Sequence, residues 1–157
     1  MVQSMSRKQL KHGIGGLIMR EILFRGKNKV DGEWSIGSLT HDTKYGNCFI
    51  EVCVHQGICE EVIPETVGQY TGLTDKRGKK IFEGDIIKYR HHDINEKAVI
   101  RYGAPENRYT MYGWYLDDNQ GNTAFRLSEY FIKDYNCQVI GNIYDNPEFL
   151  KGSIENE

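Results

Sequence analysis

The feature that most restricts this chain is its punctuation. Short runs of β-branched and aromatic residues alternate throughout with glycine, asparagine and aspartate. Glycine occurs 17 times and proline only 3, while tyrosine supplies 10 of the 18 aromatic side chains. Glycine and Asx residues close tight turns, and β-branched and aromatic side chains suit a pleated, half-buried surface. Such a pattern points to short strands and tight turns and predicts a mainly β protein. No apolar run approaches the roughly 18 residues of a membrane-spanning helix. With 39% hydrophobic and 27% charged residues, the chain has enough apolar side chains to build a core. Its 157 residues suffice for one ordinary domain or two very small ones.

The runs can be placed. Trp34–Leu39 and Asn47–His55 read as strands, and Gln56-Gly57 turns the second of them into Ile58–Ile63, which Pro64 closes. Asp75 and Gly78 bracket a reverse turn, with Asp at its first position and Gly at its last. Ile86–Tyr89, Ala98–Tyr102 and Met111–Leu116 follow as strands, the last two joined by a polar loop containing Pro105. Ser128 is placed to cap a short helix over Glu129–Tyr135, and Cys137–Tyr144 returns as a strand. Asn146-Pro147 then opens a last helical turn. Short strands at regular spacing describe a small barrel or sandwich. We expect a β segment over 19–65, an SH3-like barrel with short C-terminal helices over 66–150, and a tail at 151–157.

Residues 1–18 differ from the remainder. They carry Arg7, Lys8 and Lys11 with no acid, whereas the other 139 residues hold 17 bases and 22 acids. Gly13, Gly15 and Gly16 interrupt the only apolar stretch that could serve as a secretory signal. The expectation is a disordered extension, or an over-extended reading frame whose natural start is Met19.

Catalytic and metal chemistry find little support. Cys48, Cys53, Cys59 and Cys137 match no paired ligand spacing, and without a secretory signal they are expected to be reduced thiols in a cytoplasm. Cys53-Val54-His55 is the nearest approach to a metal cluster, but adjacent strand residues face opposite ways. His91-His92 lies in a polar stretch that reads as a solvated loop. Glu83 and Asp85 could form a carboxylate pair, yet two acids beside glycine are common in turns. We therefore expect no enzyme, no catalytic or metal-ligating residue and no cofactor.

Three segments, in order, carry a family resemblance: Met19–Lys27; Gln69-Tyr70-Thr71-Gly72-Leu73 through Glu83-Gly84-Asp85-Ile86-Ile87; and Val139-Ile140-Gly141-Asn142-Ile143-Tyr144-Asp145-Asn146-Pro147-Glu148. Together they resemble the YopX family of phage and prophage proteins, over about residues 19–150. The resemblance implies phage origin, a β-rich SH3-type barrel and oligomeric assembly, and it supplies no catalytic residues. Residues 1–18 and the loop 103–110 fall outside its pattern.

Charge carries the functional hint. Lys76, Arg77, Lys79 and Lys80 crowd into five positions, and residues 69–108 hold 9 bases against 6 acids. The flanking segments 19–68 and 109–157 are acidic, with nets of −3 and −5. A cationic turn on an acidic protein suits phosphate or an acidic partner. Lys88 and Arg90 extend the candidate binding set. Tyr70, Tyr89, Tyr102, Tyr112, Trp114 and Tyr115 offer either stacking surfaces or core, with core favoured for Trp114. The expected role is an accessory binding module for nucleic acid or a nucleic-acid-processing complex, as a homo-oligomer in the bacterial cytoplasm. The alternative is a host-protein-binding modulator of defence or metabolism, whose basic turn meets an acidic surface.

Overall fold

A computed structural model describes residues 20–53, 56–105, 112–118 and 124–150. Residues 1–18, His55, most of the 103–110 loop and the 151–157 tail lie outside them. The described residues form two antiparallel sheets and little helix.

The first sheet contains β1 (Phe24–Lys27), β2 (Trp34–Asp42), β3 (Asn47–Cys53), β4 (Ile58–Val62), β5 (Gly68–Thr74) and β6 (Lys80–Phe82), in the order β4-β3-β2-β1-β5-β6. Its core is small: Cys48, Ile50 and Val62, flanked by Phe24, Leu39 and Val67. Between β4 and β5, Pro64–Thr66 makes one 3-10 turn. There the Thr66 hydroxyl accepts from the Lys27 N–H at 2.8 Å and donates to the Ile63 carbonyl at 2.7 Å. Gly37 in β2 is required by close approach, since a Cβ there would lie 1.9 Å from the Glu51 carbonyl oxygen.

The second sheet contains β7 (Asp85–His91), β8 (Ile94–Gly103), β9 (Gly113–Asp117), β10 (Ala124–Arg126) and β11 (Gln138–Asn142), in the order β10-β9-β8-β7-β11. It carries the larger core. Ile87 and Tyr89 of β7, Ala98 and Ile100 of β8 and Leu116 of β9 alternate inward to meet Phe131 and Ile132 of the helix α1 (Glu129–Asp134). Helix α1 begins where expected, the Ser128 hydroxyl accepting the Phe131 N–H at 3.1 Å. The last strand returns beside the first, but β10 and β11 form no ladder with each other, so the sheet is open at both edges. Closure into an SH3-like barrel is not part of the observed pairing. The division between sheets falls between β6 and β7.

Several local expectations need correction. β2 and β8 run longer than their sequence signals, while β5, β6 and β10 are strands that carried none. His91 does not sit in a solvated loop. It ends β7, half-buried against the rings of Phe125 and Tyr135. Only His92 and Asp93 form the turn, both at positive φ (46° and 66°), as a two-residue hairpin turn of right-handed twist requires. No helix among the described residues is long and apolar enough to cross a membrane.

Candidate functional site

Two charged regions emerge, and they differ in what their charges touch. The first is a polar joint between the sheets, built from all three family-like segments. Arg25 of β1 meets Asp85 of β7, Nη1 to Oδ1, at 2.6 Å, with side chains only 9% and 1% exposed. The Arg25 Nη2 also donates to the Glu83 carbonyl at 3.1 Å. Its guanidinium lies 4.6 Å from the Trp34 ring centre and 5.0 Å from that of Phe82, a position favourable for cation–π attraction. Asp85 Oδ2 accepts the Phe82 N–H at 2.8 Å. Burial pushes the Asp85 carboxyl above its ordinary range, against the opposing pull of Arg25. Burial likewise raises Glu83. Asp85 is thus committed to Arg25 and to the bend at Gly84.

The joint continues through Asp145. Its carboxylate accepts from the Trp34 indole N–H at 2.7 Å and the Asn142 amide at 2.8 Å, and it pairs with Lys27. Burial alone would raise this carboxyl, but the Asn142, Lys27 and Trp34 hydrogen bonds outweigh it and hold its pKa at about 2. Asn142 uses its carbonyl oxygen to accept the N–H groups of Tyr144 (3.0 Å) and Asp145 (2.9 Å), folding the loop after β11 back onto itself. The Tyr144 hydroxyl donates to the Glu65 carbonyl at 2.6 Å. Among the described residues, Arg25 Nε is the buried side-chain polar atom of this cluster that has no hydrogen-bond partner. Such saturation suits a structural clasp.

The second region is the basic turn between β5 and β6. Asp75, itself buried, organises it: Oδ1 accepts the N–H groups of Arg77 (2.8 Å) and Lys79 (2.9 Å), and Oδ2 accepts that of Val139 in β11 (3.0 Å). Gly78 donates to the Asp75 carbonyl at 2.9 Å and adopts φ +82°, which favours glycine at this position. The turn is thus locked to the sheet while Lys76, Arg77 and Lys79 stay exposed, without ion pairs among the described residues.

The other three candidates divide. Lys80 is half-buried, paired with Glu21, and its Nζ lies 4.4 Å from the Tyr70 ring centre. Arg90 pairs with Asp93 at 2.9 Å. Lys88 is exposed and forms no ion pair among the described residues. It stands opposite Lys97 of β8 on one side and Gln138 of β11 on the other. Because the Lys76 N–H donates to the Cys137 carbonyl at 3.2 Å, β11 alone separates Lys88 from the basic turn. The fold therefore brings Lys97, Lys88 and the 76–79 turn onto neighbouring elements. Sequence reasoning missed Lys97, whose partner Lys88 appears only once the β7–β8 register is known.

The aromatic candidates also separate. Of the two alternatives, stacking surface or core, Tyr70 and Tyr89 take the second, since both are buried. Tyr102 and Tyr112 are 52% and 68% exposed, and Trp114 packs partly against the core. A cleft of about 290 Å³ opens beside Tyr102 and Trp114, with Gln69 of β5, Arg20 and Arg126 among its walls. Among the described residues, no group of three His, Cys, Asp or Glu side chains lies together at metal-binding range.

Comparison with curated proteins finds no match. The crystal structure of protein EF1440 from Enterococcus faecalis is similar at a TM-score of 0.49 and 22% identity, over 84% of this chain and 99% of that one. The family model described as YopX protein matches residues 23–151, a span that includes the clasp, the basic turn and the loop that follows β11. The chain belongs to the YopX protein family.

Proposed function

We propose that this protein is a non-enzymatic binding module of a phage or prophage, acting in the bacterial cytoplasm on nucleic acid or a nucleic-acid-processing complex. The supporting observation is the turn at Lys76, Arg77 and Lys79: three exposed cations that form no ion pair among the described residues, on a turn held by a buried aspartate. Lys88, across β11 from the turn, extends the positive field. Rigid presentation matters because a preorganised site loses little side-chain and loop freedom on binding. The same reading takes residues 66–150 as an SH3-like barrel domain, with the second sheet as its larger part and a seam open between β10 and β11. The strand order of that sheet, with the last strand beside the first and a helix before the last, supports this. Self-association belongs to the proposal as well, through Ile36, Val52 and Ile58, which stand exposed on the first sheet.

The test is an anisotropy titration of labelled mixed-sequence DNA and RNA at low salt. Binding that weakens on raising salt toward physiological strength supports the reading. No binding at low salt overturns it and favours an acidic host protein as the ligand.

A further inference from the structure

The cleft beside Tyr102 and Trp114 contains groups that the basic turn does not explain. Arg20, preceding β1, and Arg126, at the end of β10, both line it. Both are exposed and neither forms an ion pair among the described residues. Two arginines lining one concave space concentrate positive potential there, which favours an anion. Gln69 adds an amide that can donate or accept.

Aromatic rings continue out of the cleft. Trp114 and Tyr102 have ring centres 4.7 Å apart and planes tilted by 58°. Tyr102 and Tyr112 follow at 5.5 Å and 78°. No pair in this row is stacked in parallel, and the edge-to-face contact of Tyr102 with Tyr112 covers at most one face of one ring. Scattered exposed aromatics are ordinary, whereas three consecutive rings bordering two arginines that form no ion pair among the described residues make a combined surface for flat, anionic ligands.

We propose that this cleft is a nucleotide subsite for single-stranded nucleic acid, with Arg20 and Arg126 taking phosphate and the Trp114–Tyr102–Tyr112 row stacking bases. The inference rests on the nucleic-acid reading above and deepens it by naming the strand form and a second contact region. The cleft volume falls near the lower end of the roughly 300–1,000 Å³ typical of small-molecule sites, enough for one nucleotide unit. The row beyond it offers further stacking positions that a free nucleotide could not use. The two regions are also connected. The Arg20 side chain lies against Gly72, 3.7 Å from where a Cβ would stand, and the Lys76 turn follows about 13 Å further along the strand at roughly 3.3 Å per residue. One strand can therefore span both.

The full chain is titrated with a labelled ten-residue oligothymidylate and with a ten-base-pair duplex, and thymidine monophosphate is added as competitor. The oligothymidylate is expected to bind more tightly than the duplex. Tyr102→Ala and Arg126→Glu should each weaken oligothymidylate binding by about tenfold, within the range of one lost stacking or phosphate contact, and leave the duplex unaffected. Tyr102→Phe keeps the ring and should bind as the wild type does. If Tyr102→Ala and Arg126→Glu bind normally while Lys76→Glu/Arg77→Glu/Lys79→Glu does not, the subsite is overturned and the basic-turn reading survives. Competition by the monophosphate at the oligothymidylate's own concentration overturns the strand proposal in favour of a free-nucleotide site. Failure to bind any of these probes overturns both.

Discussion

The clasp and the basic turn use the same charged residue types to opposite ends. At the clasp, Arg25 and Asp85 are removed from water and satisfied by each other, by Phe82 and by the rings around them. At the turn, Asp75 satisfies backbone N–H groups and leaves Lys76, Arg77 and Lys79 facing solvent. Buried charge must be paired because desolvation is costly, and a pair so deeply buried is out of a ligand's reach. Exposed charge contributes little to stability but keeps its field available. Position in the fold, more than residue type, thus separates the charges that hold the molecule together from those that can bind.

The largest expected effect is at Asp85. Asp85→Ala leaves Arg25 buried without its counterion and should destabilise the fold by about 3–5 kcal/mol, measured from the denaturant midpoint. Arg25→Met/Asp85→Leu, which removes both charges, should recover a large part of that loss. If the double variant is as unstable as the sum of its single variants, the two residues are not coupled.

A smaller contrast comes from glycine. A Cβ at Gly141 would lie 2.4 Å from the Asn146 Oδ1 and 2.8 Å from its Cγ, in the loop that closes the clasp. Gly141→Ala should cost about 2 kcal/mol, as overpacking does. At Gly78 a Cβ would meet nothing within 4 Å, so only the positive φ opposes it. Gly78→Ala should cost about 1 kcal/mol. Equal thermal shifts for the two variants would remove the contrast.

Acid sharpens the comparison further. Asp145 has a folded pKa of about 2, below its ordinary value of 3.8, so ionised Asp145 favours the folded state. That contribution is present above pH 4 and is lost as pH falls toward 2. The stability of Asp145→Asn should therefore fall less steeply than that of the wild type between pH 4 and 2. Parallel curves would remove Asp145 from the clasp.

The sequence revealed what depends on near neighbours. Ser128 capping the helix, Asp75 folding the reverse turn and Asn146-Pro147 opening the last helical turn each act within a few residues, and each appears where the local pattern put it. The three family-like segments were visible too, but not their meeting place. Arg25 finds Asp85 across sixty positions, a pairing that no local spacing encodes. β10 is three residues of Ala-Phe-Arg, too short for a propensity signal, and becomes a strand only because β9 lies beside it. The tyrosines looked alike in sequence. Register alone turns Tyr89 into the core and Tyr102 toward the cleft.

The division between structural and binding charge is tested most directly by the salt dependence of nucleic-acid affinity, wild type beside Lys76→Glu/Arg77→Glu/Lys79→Glu. Both proteins should melt alike, within about 0.5 kcal/mol, because surface substitutions away from special features change stability little. The slope of log affinity against log salt should fall in the variant by about 2–3 units, at nearly one per lost phosphate contact. An unchanged slope, or a variant that unfolds, would contradict the division.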